Sequence, residues 1–288
     1  YPGPQTLRIT TTAANASVRF TFDGSLPRAG SPEFPDSFSV LRTYVIKARV
    51  YEQGKLPGPI ITRTYFIEPR PTLPVVSLST DAAHFYDVEY GILRNAIKER
   101  EVPVSVEFYN DAGERGVACN AGARVFGSTI YALPQRPIAI RFRPDYGQPD
   151  IRYPLFEDRN NTVFTSLLLR NGGNDYNLAY FRDGLAMNLA KDFMDLDYQE
   201  YKPCVLYING VYNGVYELRE RVDADYLSRN HGVSSANLDI VEDSLIVVEG
   251  EGGDFRDLLQ FIQQNDMSDD DLFAQVAARM DTHEFINC

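Results

Sequence analysis

The chain has 288 residues, 44% of them hydrophobic, and carries 40 acidic against 28 basic side chains for a net charge of −12. That length allows two domains, and the acidic balance argues against nucleic-acid binding by general phosphate attraction, which needs a basic surface; its plain effect is solubility. No apolar run reaches the length of a bilayer span, and a chain that opens at Tyr1 with no signal-peptide pattern is expected to have lost a targeting segment.

Residues 1–67 read as a small all-β domain. Polar and apolar residues alternate over Ser17–Phe22 and Tyr44–Tyr51. Turn signals at Asp23-Gly24-Ser25, Pro35-Asp36, Gln53-Gly54 and Pro57-Gly58-Pro59 separate the runs. Short strands so closely punctuated predict a β-sandwich. Between Glu68 and Pro74 three prolines fall in seven residues. Each fixes its own φ and extends its predecessor, which predicts a semi-rigid linker over 68–74 and a domain boundary there.

Residues 75–288 form the second domain. Its first part is β-rich, with strands at Val75–Ser79, Val102–Tyr109, Gly116–Cys119, Ala121–Gly127 and Pro137–Arg143. Ile138, Ile140 and Phe142 share one face of the last. Asp81–Tyr90 reads as a loop or short helix, and Asn110–Gly113 as a turn. Leu167–Asp175 reads as a buried strand running into a polar turn, where Gly172-Gly173 allows unusual backbone angles. Asn171, Asn174 and Asp175 in that turn either satisfy buried backbone groups or form a ligand site. Leu178, Phe181, Leu185 and Leu189 recur at helical spacing and predict a helix over 178–192 with Asn177 as its cap. Leu206–Asp223 reads as two strands joined at Asn209-Gly210, or by a loop out to Gly214, since Asn-Gly supplies the positive φ of tight hairpins. Phe255, Leu258, Leu259 and Ile262 make a second helical stripe. Leu272, Phe273, Val276 and Met280 make a third, with Ser268 and Asp271 resembling a capping box.

Cys119, Cys204 and Cys288 are widely spaced and form neither a metal-ligand pattern nor a disulfide framework. The first two sit among apolar residues and read as buried thiols. His84, His231 and His283 are isolated and read as surface or structural residues. The acidic stretch Glu249–Asp257 and the run Asp269–Asp271 lack the alternating ligand spacing of a calcium loop, and helix-start charge accounts better for the second.

Phe20–Pro27, Lys47-Ala48-Arg49 and Thr64-Tyr65-Phe66 resemble the chitobiase/hexosaminidase C-terminal module. The resemblance implies an immunoglobulin-like sandwich with a spacer or weak surface-binding role. Beyond the prolines, the order and spacing of Gly122–Ser128, Pro134–Pro137, Leu169–Asp175, Phe181–Leu185, Tyr207–Gly210, Gly214–Asp223 and Asn237–Asp239 resemble the spore-coat-protein-H (CotH) family of atypical secretory kinases. The fold class this implies is α+β: the sandwich followed by a kinase-like domain with a β-rich lobe and a partial helical lobe. It also implies ATP and magnesium as cofactors, a protein substrate phosphorylated on Ser or Thr, and a secreted or cell-surface bacterial location.

Phosphoryl transfer needs cations around the phosphates and carboxylates on the metal. Arg124 and Ser128 lie in a glycine-flanked turn where backbone N–H groups could face phosphate. Arg136 stands where many relatives carry Lys, which keeps the charge and changes its geometry. Arg141 and Arg143 follow on the next strand. For all four arginines a solvated or salt-bridged sheet edge is an equal alternative. Asp183 on the 178–192 helix is a candidate partner for a strand cation, and Glu220 a candidate for touching the nucleotide edge; a structural salt bridge and structural capping compete with these roles. Relatives continue past the equivalent of Phe285-Ile286 into an Asn-x-Asp segment and a later Asp, the expected catalytic base and metal ligand. This sequence stops at Cys288, so it is expected to be a fragment of a longer protein, or a naturally shortened relative, inactive alone. No catalytic or metal residues are assigned. The competing expectation is a non-catalytic surface-interaction or carbohydrate-associated module.

Overall fold

A computed structural model describes the chain except residues 68, 70, 128–132, 195, 243, 244 and 288. The residues form two compact units, Tyr1–Tyr180 with Tyr201–Arg219, and Phe181–Glu200 with Glu220–Cys288. The architecture is α+β with a sheet-rich N-terminal region.

The first unit opens with strands β1 (Gln5–Leu7), β2 (Ala16–Thr21), β3 (Phe38–Val40), β4 (Tyr44–Glu52) and β5 (Ile61–Tyr65). β1 pairs with β3, and β2, β4 and β5 form a second sheet in that order. Their shared core is Val18, Phe20, Phe34, Val40, Ile46 and Ala48. Edge-to-face contacts of Phe20 with Phe34 and Phe38 fill it, a geometry aromatic quadrupoles favour.

Strands β6 (Val75–Ser79), β7 (Val102–Tyr109), β8 (Arg115–Val125) and β9 (Ile138–Arg141) follow, with helix α1 (Ala82–Tyr86) after β6. The two runs expected around Cys119 and Gly122 are one continuous strand, β8. Next come β10 (Ile151–Arg152), β11 (Val163–Phe164), β12 (Ser166–Arg170), β13 (Tyr201–Ile208) and β14 (Val211–Glu220). Seven of these close into a barrel in the order β12-β14-β13-β6-β7-β8-β9. β6 and β13 run parallel within it. The alternation of β7 shows how the barrel is built. Val102, Val104, Val106 and Phe108 join the interior, while Ser105, Glu107 and Tyr109 point the other way, as a period of two requires.

That outer face is buried too. Lys47 of β4 donates to the Ser79 carbonyl at 3.2 Å and to Ser105 Oγ at 3.1 Å. Glu107 Oε2 accepts from the backbone N–H and hydroxyl of Thr64 at 2.8 and 2.6 Å. Arg115 pairs with Glu107 at 3.1 Å. Phe66 meets Tyr109 and Tyr207 edge-on. The N-terminal sheets and the barrel thus share one polar and aromatic seam.

The Asn209-Gly210 reading of the hairpin holds: Asn209 has φ 50° and Gly210 φ 77°, and β14 begins at Val211. Asp87 to Ala96 wraps over the barrel end, burying Ile92 and Phe85.

In the second unit, α2 (Arg182–Phe193) starts later than the periodicity suggests, with Phe181 rather than Asn177 at the cap position. Asp175 is the reason. Its carbonyl accepts from the N–H groups of Leu178 and Tyr180, its carboxylate from Ala179, and Tyr180 takes φ 69°. Helical geometry therefore cannot begin until after it. Leu185 and Leu189 on α2 are exposed. Helix α3 (Ala224–His231) is capped by Asp223, which accepts from Tyr226 N at 3.0 Å. A hairpin of β15 (Ile240–Glu242) and β16 (Ile246–Glu249) leads to α4 (Gly253–Gln264), α5 (Asp270–Ala277) and α6 (Thr282–Asn287). The cap of α5 is Asp269, which accepts from Asp271 N and Leu272 N; Ser268 instead bonds to Asp266. No helix among the described residues is long and apolar enough to cross a membrane.

Candidate functional site

Several of the motif segments meet at one end of the barrel, around Gln135. The structure brings them together through a β-bulge. Val205 pairs with Val215 and Tyr207 with Tyr212, so Leu206 opposes both Asn213 and Gly214. Such an extra residue re-aims the backbone. Here it presents the Asn213 carbonyl to Gln135 Nε2 at 2.7 Å. Gly214 has φ 106°, and a Cβ there would lie 1.6 Å from that same nitrogen. The residue has to be glycine for both reasons.

The backbone carbonyl of Gln135 accepts from Asn171 Nδ2 at 2.8 Å, and Asn171 Oδ1 accepts from Gly173 N at 3.2 Å. Asn171 is fully buried, so the polar turn satisfies backbone groups, one of its two expected roles. The Tyr180 hydroxyl donates to the Val215 carbonyl and stands 3.4 Å from Gln135 Oε1. The Tyr216 hydroxyl accepts from Asn213 Nδ2 at 2.9 Å and from the Arg136 backbone. Burial pushes both phenols above their ordinary range, with Glu217 adding to it at Tyr180 and Tyr180 itself at Tyr216. Both remain protonated, able to donate, at neutral pH. Gln135, the centre of this knot, was passed over in the sequence for its neighbour Arg136. Its place between Pro134 and Pro137, inside motif text, was the available signal.

The arginines take other positions. Ala139 faces Arg124 and Gly122 faces Arg141 across the β8–β9 ladder, so both arginines share the outer face. Arg124 pairs with Glu99 at 3.3 Å, and its Nε is buried with no hydrogen-bond partner. Glu101 holds Arg141 at 3.8 Å and Arg143 at 3.4 Å, and accepts from the Tyr146 hydroxyl at 3.0 Å. Arg136 Nη1 donates to the Leu133 carbonyl. Ser128 lies outside the described residues. Glu99 and Glu101, two carboxylates from one short segment, were not read from the sequence.

On β14, Glu217 and Arg219 share a face and form a fully buried ion pair at 2.6 Å, with the guanidinium 5.6 Å from the Tyr201 ring. In the second unit, Glu220 is buried, and its Oε2 accepts from Glu200 N at 3.1 Å. Glu200 in turn receives Lys191 Nζ at 2.9 Å. Asp183 lies in the first turn of α2. Asp239, in the last motif segment, accepts from Glu251 N and Gly252 N at 2.8 and 2.9 Å, bracing the start of α4.

Cys119 and Cys204 are free thiols, pushed up to about 12 by burial and so unreactive at neutral pH. His84 Nδ1 meets Thr80 Oγ1 at 2.7 Å and His231 Nε2 meets Asp197 at 2.9 Å. Among the described residues, no group of three or more His, Cys, Asp or Glu side chains could hold a metal ion.

The family model described as CotH kinase protein matches residues 123–287, more than half of the chain. The model of the chitobiase/beta-hexosaminidase C-terminal domain matches residues 1–62. No curated protein matches the chain.

Proposed function

Because the chain belongs to the CotH kinase protein family, we propose that it is part of a secreted or surface-attached bacterial protein that transfers phosphate from ATP to a Ser or Thr hydroxyl of a protein substrate. The match over residues 123–287 carries this reading. The outer face of β8 and β9 supports it chemically. Arg124 and Arg141 stand side by side there, and phosphoryl transfer is mostly positioning plus neutralisation of charge on the phosphate oxygens. Glu99 is 65% exposed, so its pairing with Arg124 is worth less than ~1 kcal/mol. A triphosphate displaces it at small cost. Among the described residues no cluster of three or more His, Cys, Asp or Glu side chains is placed to hold a metal ion. Glu220 is engaged locally, its carboxylate accepting from the Glu200 backbone N–H and its carbonyl from the Gln199 side-chain amide.

The second reading, a non-catalytic surface or carbohydrate-associated module, draws on the match at residues 1–62. Calorimetric titration with ATP and Mg²⁺ separates the two. Binding at millimolar nucleotide or below, weakened about tenfold (~1.4 kcal/mol) by Arg124→Glu, is expected of the kinase-like protein. Absence of binding at millimolar nucleotide overturns that reading.

A further inference from the structure

The first unit contains a cavity of about 590 Å³ between its N-terminal sheets and the barrel, lined by residues that the Gln135 knot does not use. The volume is that of a small-molecule site. Lys47 lines it and is 1% exposed. Two of its ammonium N–H groups are taken by Ser79 O and Ser105 Oγ; an ammonium has three, so the third has no acceptor among the described residues. Ser105 Oγ also donates to Asn120 Oδ1 at 3.1 Å. Asn120 lines the same wall, and its amide nitrogen has no hydrogen-bond acceptor among the described residues. Arg28 adds a guanidinium to the lining, and Asp81 and Asp145 add carboxylates.

A buried cation is expensive, and an apolar side chain of equal length would fill the same space more cheaply. Its retention beside an open volume of this size asks for a counter-charge. Burial lowers the affinity of Lys47 for its proton and outweighs Glu107 and Asp23, which both raise it, so the ammonium is held to about 8. The charge is thus present at neutral pH.

We infer that this cavity binds a small hydroxylated anion, a sugar acid or sugar phosphate, with the anionic group on Lys47 and Asn120 and the ligand hydroxyls donating to Asp81 and Asp145. The donors suit a carboxylate or phosphoryl oxygen equally. The two carboxylates suit hydroxyl donors and disfavour a ligand of purely anionic character.

The inference is independent of kinase activity. Its test is calorimetric titration of the whole chain at pH 7 with glucuronate, glucose 6-phosphate and glucose. At least one of the two anions should bind, and which one binds separates the sources of the negative charge. Glucose should bind at least about tenfold more weakly (~1.4 kcal/mol). Lys47→Met should weaken the anion by about tenfold or more. Where that variant fails to fold, Asn120→Asp, at an exposed strand position, should give the same loss by placing a carboxylate on the wall. No binding of either anion, equal binding of glucose, or unchanged anion binding in the folded variant overturns the assignment.

Discussion

Replacing Lys47 by Met should remove an unusual rise of stability with pH. Burial holds the ammonium to about 8, against 10.5 in the unfolded chain. Between those values the unfolded chain carries the proton and the folded chain does not. Unfolding then takes up a proton, and stability increases as pH rises. The full difference corresponds to ~3.4 kcal/mol, of which ~2.5 kcal/mol falls between pH 7 and pH 10. Other groups act in the opposite sense. Cys119 and Cys204, pushed up to about 12 by burial, keep protons in the fold that the unfolded chain loses above pH 9. Tyr109, Tyr180 and Tyr216 do the same above pH 10. The clean quantity is therefore the difference between wild type and Lys47→Met, from urea unfolding at pH 7, 8, 9 and 10, in which those contributions cancel. Wild type should gain ~2.5 kcal/mol on the variant across that range. A difference constant to within ~0.5 kcal/mol, near the error of such extrapolations, or one that shrinks with pH, would refute the reasoning.

Gly214→Ala should lower stability by ~2–3 kcal/mol, since it combines a φ of 106° with a methyl 1.6 Å from an engaged Gln135 amide; chemical denaturation measures it. Gly24→Ala should cost more, above ~3 kcal/mol, because its Cβ would lie 2.3 Å from both the Thr80 carbonyl and Asn209 Oδ1, and the first is backbone that cannot step aside. At the start of α5, Asp269→Ala should destabilise by ~1 kcal/mol and Ser268→Ala by a few tenths, reversing the order a capping-box reading gives. Gln135→Ala should cost ~1–3 kcal/mol by stranding the Asn213 carbonyl, and should loosen the β13–β14 bulge in hydrogen exchange while leaving α4 and α5 unchanged.

Strands were legible wherever one face met the barrel interior. Val75–Ser79 and Val102–Tyr109 appear with the bounds their alternation implies, because a period of two is a local signal. What covers the other face is not local. Ser77, Ser79, Ser105 and Glu107 look solvent-facing by residue type, and only contact with a segment some tens of residues away buries them. The same distance hid Lys47, which sits in a strand with both faces covered. The late start of α2 has a different cause. Leu178 continues the helical spacing by coincidence, and a positive φ at Tyr180 is something residue type does not announce. The cap of α5 slipped by one because Ser268 and Asp269 are both good caps, and the choice depends on geometry. Among the candidate site residues, the arginines were singled out by charge and by their place in the motif text. Their neutralising partners Glu99 and Glu101 come from a segment with no periodicity to flag it.

The seam through Glu107 and Lys47 has a mechanical consequence. Its bonds cross between the N-terminal sheets and the barrel independently of the peptide link at the prolines. A protease that nicks that link should therefore leave two fragments that migrate together until denatured. By the same token, a force applied to the front sheets is delivered straight to the barrel, as through a welded joint and not a tether.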